Sequence, residues 1–475
     1  MPVLLAAMLL SAGEVDWGRK LRRDAERFRA VVLDSHPGPV DRENPGFRAT
    51  LDRAHARAME RAETATSHAH YAWALSELTA AFDDGHLGIN VPDAPGPRAY
   101  RWAGFVTRVM DGRHVVAGSE APAIPVGATL AGCDGRDPDA LAAERVGRFF
   151  GGWSLRAHRE RQSSFLFMPS DNPWNAPLAR CTFDVAGARR EVALSWRPVG
   201  ADDRAWALVD AMFKGQMRHR APVSLERLPD GSFWVNMGSF ESDPQTEQGR
   251  ALTALNAEIK RRAEELRRAP RIVFDLRGNN GGSSSWINQA AGAIWGEGAL
   301  NGRVHESEGI DWRVSDGNIA AVREYQRMFA SKRETDPVLY KGVGALADGL
   351  ERARAEGVEL WREPDGIFPE PEGGPVHAVA ARTFVLTDED CASACLDAVD
   401  VLTAMGAVQV GRETSADTLY METRDETTPG GARIRVPMKV YRGRPRGSNV
   451  PATPKHEWAG AMGDTGAIRR WVAGL

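Results

Sequence analysis

A short apolar run, Ile272-Val-Phe274, passes into a charged pair, Asp275 and Arg277, and then into a turn with three glycines, Gly278, Gly281 and Gly282. The run predicts a buried strand, and residues from Ser284 to Ile294 predict a helix. A strand that reaches a helix through glycines is a tightly constrained unit. Glycine tolerates positive φ and lets backbone N–H groups approach a ligand. A glycine turn before a helix N-terminus is therefore an anion-binding corner. Two anions suit it: a phosphate, or the oxyanion of an acyl-transfer intermediate. Neither G-x-x-x-x-G-K-[ST] nor G-x-G-x-x-G is present, so the common nucleotide motifs are absent. Asp275 and Arg277 are read as a structural ion pair or as a brace for the turn.

A second strand-to-helix passage supplies a nucleophile. Thr383–Leu386 predicts a strand, Asp388-Glu-Asp-Cys-Ala-Ser393 a turn, and Ala394–Met405 a helix. Ser393 then sits at a helix N-terminus, where a developing anion is favoured. The N–H of Ala394 and one from Gly281 or Gly282 would form a two-donor oxyanion hole. The commoner role of a serine at this position is an N-cap. A nucleophilic serine also needs a base within hydrogen-bond reach. His86 is the first choice, because it follows a helix end at a turn beside Asp83 and Asp84. His456 is the second choice, whereas His68 and His70 fall within a predicted helix. Cys391 and Cys395 flank Ser393 and offer a thiol alternative. They are otherwise small core residues, or a redox pair on a spacing that strains a disulfide.

The rest of the chain divides into three parts. Residues 14–97 carry helical periodicity over Trp17–His36, Pro45–Thr64 and Ser67–Phe82, with Gly85 as a C′ cap and Leu87–Val91 as a short strand. Residues 98–200 read as a small β-rich module, including a hairpin whose turn contains Ala186 and Gly187. Residues 201–475 alternate strand and helix, with one long helix over Pro244–Arg268. Residues 300–375, polar and weakly periodic, are read as an insertion or lid. Residues 1–13 read as a signal peptide, with small residues at Ser11-Ala-Gly13, so a periplasmic or secreted location is expected.

Composition narrows the partners. The net charge of −4 gives no electrostatic footprint for nucleic acid, and no apolar run is long enough to span a bilayer. Only seven basic residues are lysines, and arginine cannot serve as a general base. A Ser–Lys mechanism thus has few candidates, Lys439 and Lys455 being the only lysines after Ser393. No metal site and no cofactor is expected.

Four stretches together resemble the C-terminal processing (tail-specific) and tricorn-core superfamily of serine peptidases. They are Asp275-Leu-Arg-Gly-Asn-Asn-Gly-Gly282, Val385-Leu-Thr-Asp-Glu-Asp-Cys-Ala-Ser-Ala394, Leu78–Phe82 with Asp84-Gly-His-Leu87, and Ile124–Gly135. The resemblance implies an α/β fold with a ClpP/crotonase-like catalytic core, an N-terminal helical domain and a PDZ-like module. It implies Ser393 as nucleophile, and Gly281 with Ala394 as oxyanion donors. The tail-specific branch places a lysine base in the stretch Gly411–Tyr420, which holds none. The tricorn branch uses a histidine from the N-terminal part, which fits His86. That branch has a serine where Gly85 stands, and a glutamate near Ser448-Asn449, where none stands. The group orienting His86 is thus unassigned. The expected function is a serine endopeptidase acting on a peptide or protein. A peptide-binding protein on the same fold, a crotonase-type acyl-CoA enzyme and a cysteine hydrolase remain as rivals.

Overall fold

In the computed structural model, described residues are 15–92, 99–110, 112–201, 203–214, 222–303, 307–334, 336–368 and 373–475. The expected signal peptide, residues 1–13, and the linker prolines Pro95 and Pro97 lie outside them.

A six-stranded sheet organises the C-terminal part. Its order is His456–Glu457, Val408–Gly411, Arg382–Thr387, Arg271–Asp275, Phe233–Asn236, Ser224–Arg227. All neighbours are parallel except the last pair. Its inner strands are buried on both faces, as parallel strands require. Phe233, Val235, Ile272, Phe274 and Val385 face helices Glu247–Arg261, Ser285–Trp295 and Ala394–Ala404. Trp234, Val273, Phe384 and Leu386 face Ile468 and Val472 of the terminal helix. The helix expected over Pro244–Arg268 is two, Glu247–Arg261 and Ala263–Arg268, separated at Arg262.

A second, five-stranded sheet is built around the long strand Arg433–Arg442, which pairs with Gly88–Asn90, Gly309–Arg313 and Tyr420–Thr427. Leu360–Arg362 adds to the outside of Gly309–Arg313. Helices Trp17–Ser35, Phe47–Glu63 and His68–Ala80 pack on Ile434, Val436 and Val440. The segment 300–375 carries more structure than its weak periodicity suggests. Helices Asp316–Met328 and Pro337–Ala355 bury Val322, Val343, Leu346 and Leu350 against Trp312 and Met438. Val343, Leu346 and Leu350 keep helical spacing, and they pack on Met438 of a strand far along the chain.

Residues 99–200 form a five-stranded antiparallel sheet, from Phe105–Met110 to Ala188–Ala193, and a short ribbon of Tyr100–Trp102 with Arg197–Val199. The expected hairpin turn is present, with Ala186 and Gly187 both at positive φ, as a two-residue hairpin demands. Cys133 and Cys181, direct cross-strand neighbours, are joined by a disulfide.

The Asp275–Arg277 pair is structural. Both side chains are buried, and two guanidinium N–H groups donate to the carboxylate at 2.9 and 2.5 Å. Trp234 Nε1 donates to the same carboxylate, and Arg277 also donates to the Met462 carbonyl. Arg277→Met leaves Asp275 buried without its cation. It should lower unfolding free energy by about 3–5 kcal/mol in urea titration, with part of the loss regained in the Asp275→Asn/Arg277→Met double variant.

Candidate active site

The two strand-to-helix passages meet because their strands are neighbours in register. Phe274 lies opposite Val385, and Asp275 opposite Leu386. Both turns therefore leave the carboxyl edge of the sheet side by side, the usual ligand edge of a parallel sheet. Asp388 joins them by accepting the Gly278 N–H at 2.9 Å. The glycines are needed for this approach. A Cβ on Gly281 would lie 2.5 Å from the Cβ of Ser393, and one on Gly282 would overlap the Phe240 carbonyl.

Ser393 does not act as an N-cap. Its φ is +55° and its side chain makes no capping hydrogen bond. A non-glycine residue at positive φ costs energy and persists only where its surroundings hold it. Two features do so here. The Ser393 N–H donates to Asp417 Oδ2 at 2.5 Å. A disulfide between Cys391 and Cys395, Cα–Cα 5.3 Å, closes a loop around the serine. The pairing corrects the sequence-based expectation of a strained disulfide site. The two residues are not one regular helical turn apart, because Cys391 lies in the preceding turn and the helix begins at Ala394. It also removes the cysteine hydrolase, since both sulfurs are bonded and both residues buried.

His86 reaches the serine from 307 positions away in the sequence, with Nε2 3.4 Å from Ser393 Oγ. It is placed by a tight turn after helix His68–Ala80. Asp83, rather than the expected Gly85, takes the left-handed position there, with φ +45°. Short polar side chains tolerate that region by bonding locally. The Asp83 carboxylate accepts the Gly152 N–H, and Asp84 Oδ1 accepts the His86 N–H at 2.8 Å. His86 Nδ1 is buried and has no hydrogen-bond partner. Asp84 Oδ1 lies 4.0 Å from it.

The other expected site residues are distributed as follows. Ala394 and Gly282 line the cleft beside Ser393, and no hydrogen bond within the described chain occupies their N–H groups. Gly281 differs from expectation. Its N–H donates to Asn279 Oδ1 at 2.9 Å, because the Asn279 side chain folds back over the turn. Gly282 is thus the glycine left with an available donor. His456 lies in an edge strand paired with Val410, away from the cleft. His68 and His70 bond to the Pro92 carbonyl and Ser67. Lys439 lines the far wall, 3.7 Å from Glu422 and over the Trp312 and Tyr441 rings, with no contact to Ser393. Among the described residues no cluster of His, Cys, Asp or Glu has the makings of a metal site, and no helix is long and apolar enough to cross a membrane.

The sequence pointed to neither of two residues that border the serine's cleft, Asp417 and His158. Asp417 stands in Gly411–Tyr420, the stretch in which the tail-specific branch has its lysine. His158 lines the cleft, bonded through Nε2 to Ser415 Oγ at 3.1 Å, and burial lowers its pKa. Nothing in its local sequence marks it. The cleft itself, about 1500 Å³, runs from these residues to Trp312 and Lys439 on the second sheet.

The nucleophile turn also holds two buried acids. Burial raises the pKa of Asp388 well above the usual range and that of Glu389 to about 7. A carboxyl raised on folding binds its proton more tightly in the native state, so stability falls as pH rises from about 4.5 to about 7. Glu389→Gln should therefore flatten the dependence of the melting temperature on pH across that window. An unchanged slope would show that Glu389 titrates normally.

No protein-family model matches the sequence, and no curated protein matches it significantly. Solved structures do match. Mature CPAF aligns with a TM-score of 0.59 at 15% identity, over 93% of each chain. Mature CPAF complexed with lactacystin aligns at 0.58 and 15%, over 93% of this chain and 94% of that one. Tricorn protease aligns more loosely, with a TM-score of 0.38 at 10% identity over 93% of this chain and 34% of that one. At these identities the shared property is the fold: over nearly the whole chain the protein has the mixed α/β fold of mature CPAF.

Proposed function

We propose that this protein is a serine peptidase that cleaves peptide bonds through an acyl-enzyme on Ser393. The observation that carries the reading is the 3.4 Å approach of His86 Nε2 to Ser393 Oγ, at a serine held at φ +55° beside two unoccupied N–H groups. An apo contact of this length is common for a pair that tightens when substrate binds. Ser393 Oγ attacks the scissile carbonyl carbon, and its proton passes to His86 Nε2. The N–H groups of Ala394 and Gly282 hold the resulting oxyanion. His86 then protonates the leaving amine, and water repeats the sequence on the acyl-enzyme. Loss of one such donor typically costs about 2.7–4 kcal/mol of transition-state stabilisation.

The cleft is large enough for an extended peptide, and its partners are peptides or proteins. The core is read as ClpP/crotonase-like and the antiparallel module as PDZ-like, with a role in binding or gating the chain. Two disulfides support an exported protein, because such bonds persist in oxidising compartments. Mature CPAF, a structure of similar fold, has been solved in complex with lactacystin.

One observation favours a second reading, a peptide-binding protein without turnover: His86 Nδ1 has no hydrogen-bond partner. A fluorophosphonate probe separates the two. Wild type should be labelled and Ser393→Ala should not. Labelling that persists in Ser393→Ala would refute the nucleophile. Absence of labelling in folded wild type would favour the binding protein. His86→Gln should lower kcat/KM on an unfolded protein substrate by about 10²–10⁴-fold, the usual contribution of a general base.

A further inference from the structure

His86 needs a group at Nδ1 that selects its tautomer. When Nε2 accepts the serine proton, Nδ1 must carry a hydrogen, and that hydrogen must be held. Two carboxylates are close. Asp417, on the facing loop, already accepts the Ser393 N–H through Oδ2. Asp84 is on the turn of His86 itself. Its Oδ1 accepts the His86 backbone N–H and lies 4.0 Å from Nδ1. Its Oδ2 is buried, makes no hydrogen bond and lies 3.7 Å from Nε2 of His36.

His36 closes the argument. It is fully buried, stacked on Phe47, and the Gly38 N–H donates to its Nδ1 at 2.8 Å. A ring whose Nδ1 accepts must, when neutral, carry its hydrogen on Nε2. Burial keeps this ring neutral, lowering its pKa against the pull of Asp84 and Asp41. The Nε2–H then points to the oxygen of Asp84 that has no other donor. His36 Nε2, Asp84 Oδ2 and His86 Nδ1 are three buried polar atoms, each lacking a partner. The Asp84 carboxylate lies within 4.0 Å of both rings, 3.7 Å from His36 Nε2 and 4.0 Å from His86 Nδ1, so it is the group that can pair with each. Buried groups of this kind are normally paired.

We propose that Asp84 is the carboxylate that orients His86, and that the buried His36 fixes Asp84 in place for that task. Both are positioning residues. The inference rests on the serine peptidase reading. In the reaction the Ser393 proton goes to His86 Nε2, the imidazolium keeps its Nδ1 proton against Asp84, and no proton reaches the carboxylate. The charged groups facing His86 are Asp84 and Asp417, and Arg446 tempers Asp417. Asp417 has a different task, holding the Ser393 backbone in its left-handed conformation.

The test compares Asp84→Asn, Asp417→Asn, His36→Phe and His36→Gln in the full chain, each checked for folding by thermal melting. Asp84→Asn should lower kcat by roughly 10³–10⁴-fold with KM little changed, as when the wrong tautomer is imposed. Asp417→Asn keeps an acceptor for the Ser393 N–H and should lose far less. His36→Phe should lose about 10–100-fold in kcat, the worth of a hydrogen bond to a charged group. His36→Gln, which retains an N–H donor, should recover part of it. In wild type the His86 Nδ1 proton should resonate far downfield in the NMR spectrum at low pH. This measurement does not depend on Asp84→Asn folding. Wild-type labelling of Ser393 by the fluorophosphonate is the control, since its failure would remove the peptidase reading itself. Given that labelling, near wild-type kcat in Asp84→Asn, a deep loss confined to Asp417→Asn, or no downfield proton would overturn this proposal alone.

Discussion

The lateral pairing of two parallel strands, Arg271–Asp275 and Arg382–Thr387, is the constraint on which the rest depends. Their register sets the glycine turn beside the nucleophile turn. A slip of one residue would exchange the two buried faces of the strand that moved. If Arg271–Asp275 moved, Phe274 would leave one core and Val273 the other. Burial on both faces thus fixes the register, and the register fixes the distance between Gly281 and Ser393. The Asp275–Arg277 pair and the Asp388–Gly278 hydrogen bond add polar locks at the sheet edge, where apolar packing ends.

Unfavourable local conformation is concentrated at that edge. Ser393 occupies positive φ without being glycine, Asp388 and Glu389 are buried acids, and Asp417 is buried against the serine backbone. Each of these is destabilising by itself. Together with the Cys391–Cys395 bond they form a rigid turn that presents one hydroxyl to a cleft. A loop that must hold its nucleophile against substrate benefits from such over-determination.

Much of this was legible locally. The strand–glycine–helix unit, the second passage ending at Ser393 and the helix before His86 are patterns of nearest neighbours, and each has a local physical cause. The same locality explains the errors. Gly85 has the right type for a cap, but the turn chose Asp83 because its carboxylate finds the Gly152 N–H, 69 positions away. Gly281 and Gly282 are alike in sequence, and only the fold of the Asn279 side chain decides whose N–H is spent. The helices of residues 300–375 pack on Trp312 and Met438, and although Val343, Leu346, Ala347 and Leu350 keep helical spacing, the polar and glycine-rich residues around them mask that stripe.

The sequence by itself determined the residue types that acyl-transfer chemistry requires: a serine before a helix, glycines that permit close approach, and a histidine at a turn. These follow from local backbone preference and side-chain chemistry. Only the tertiary structure decided which groups meet. The 3.4 Å between His86 and Ser393 and the approach of His36 to Asp84 join residues far apart in the chain. Such contacts depend on packing between sheets and helices distant in the chain, and no local pattern encodes a distance across that packing.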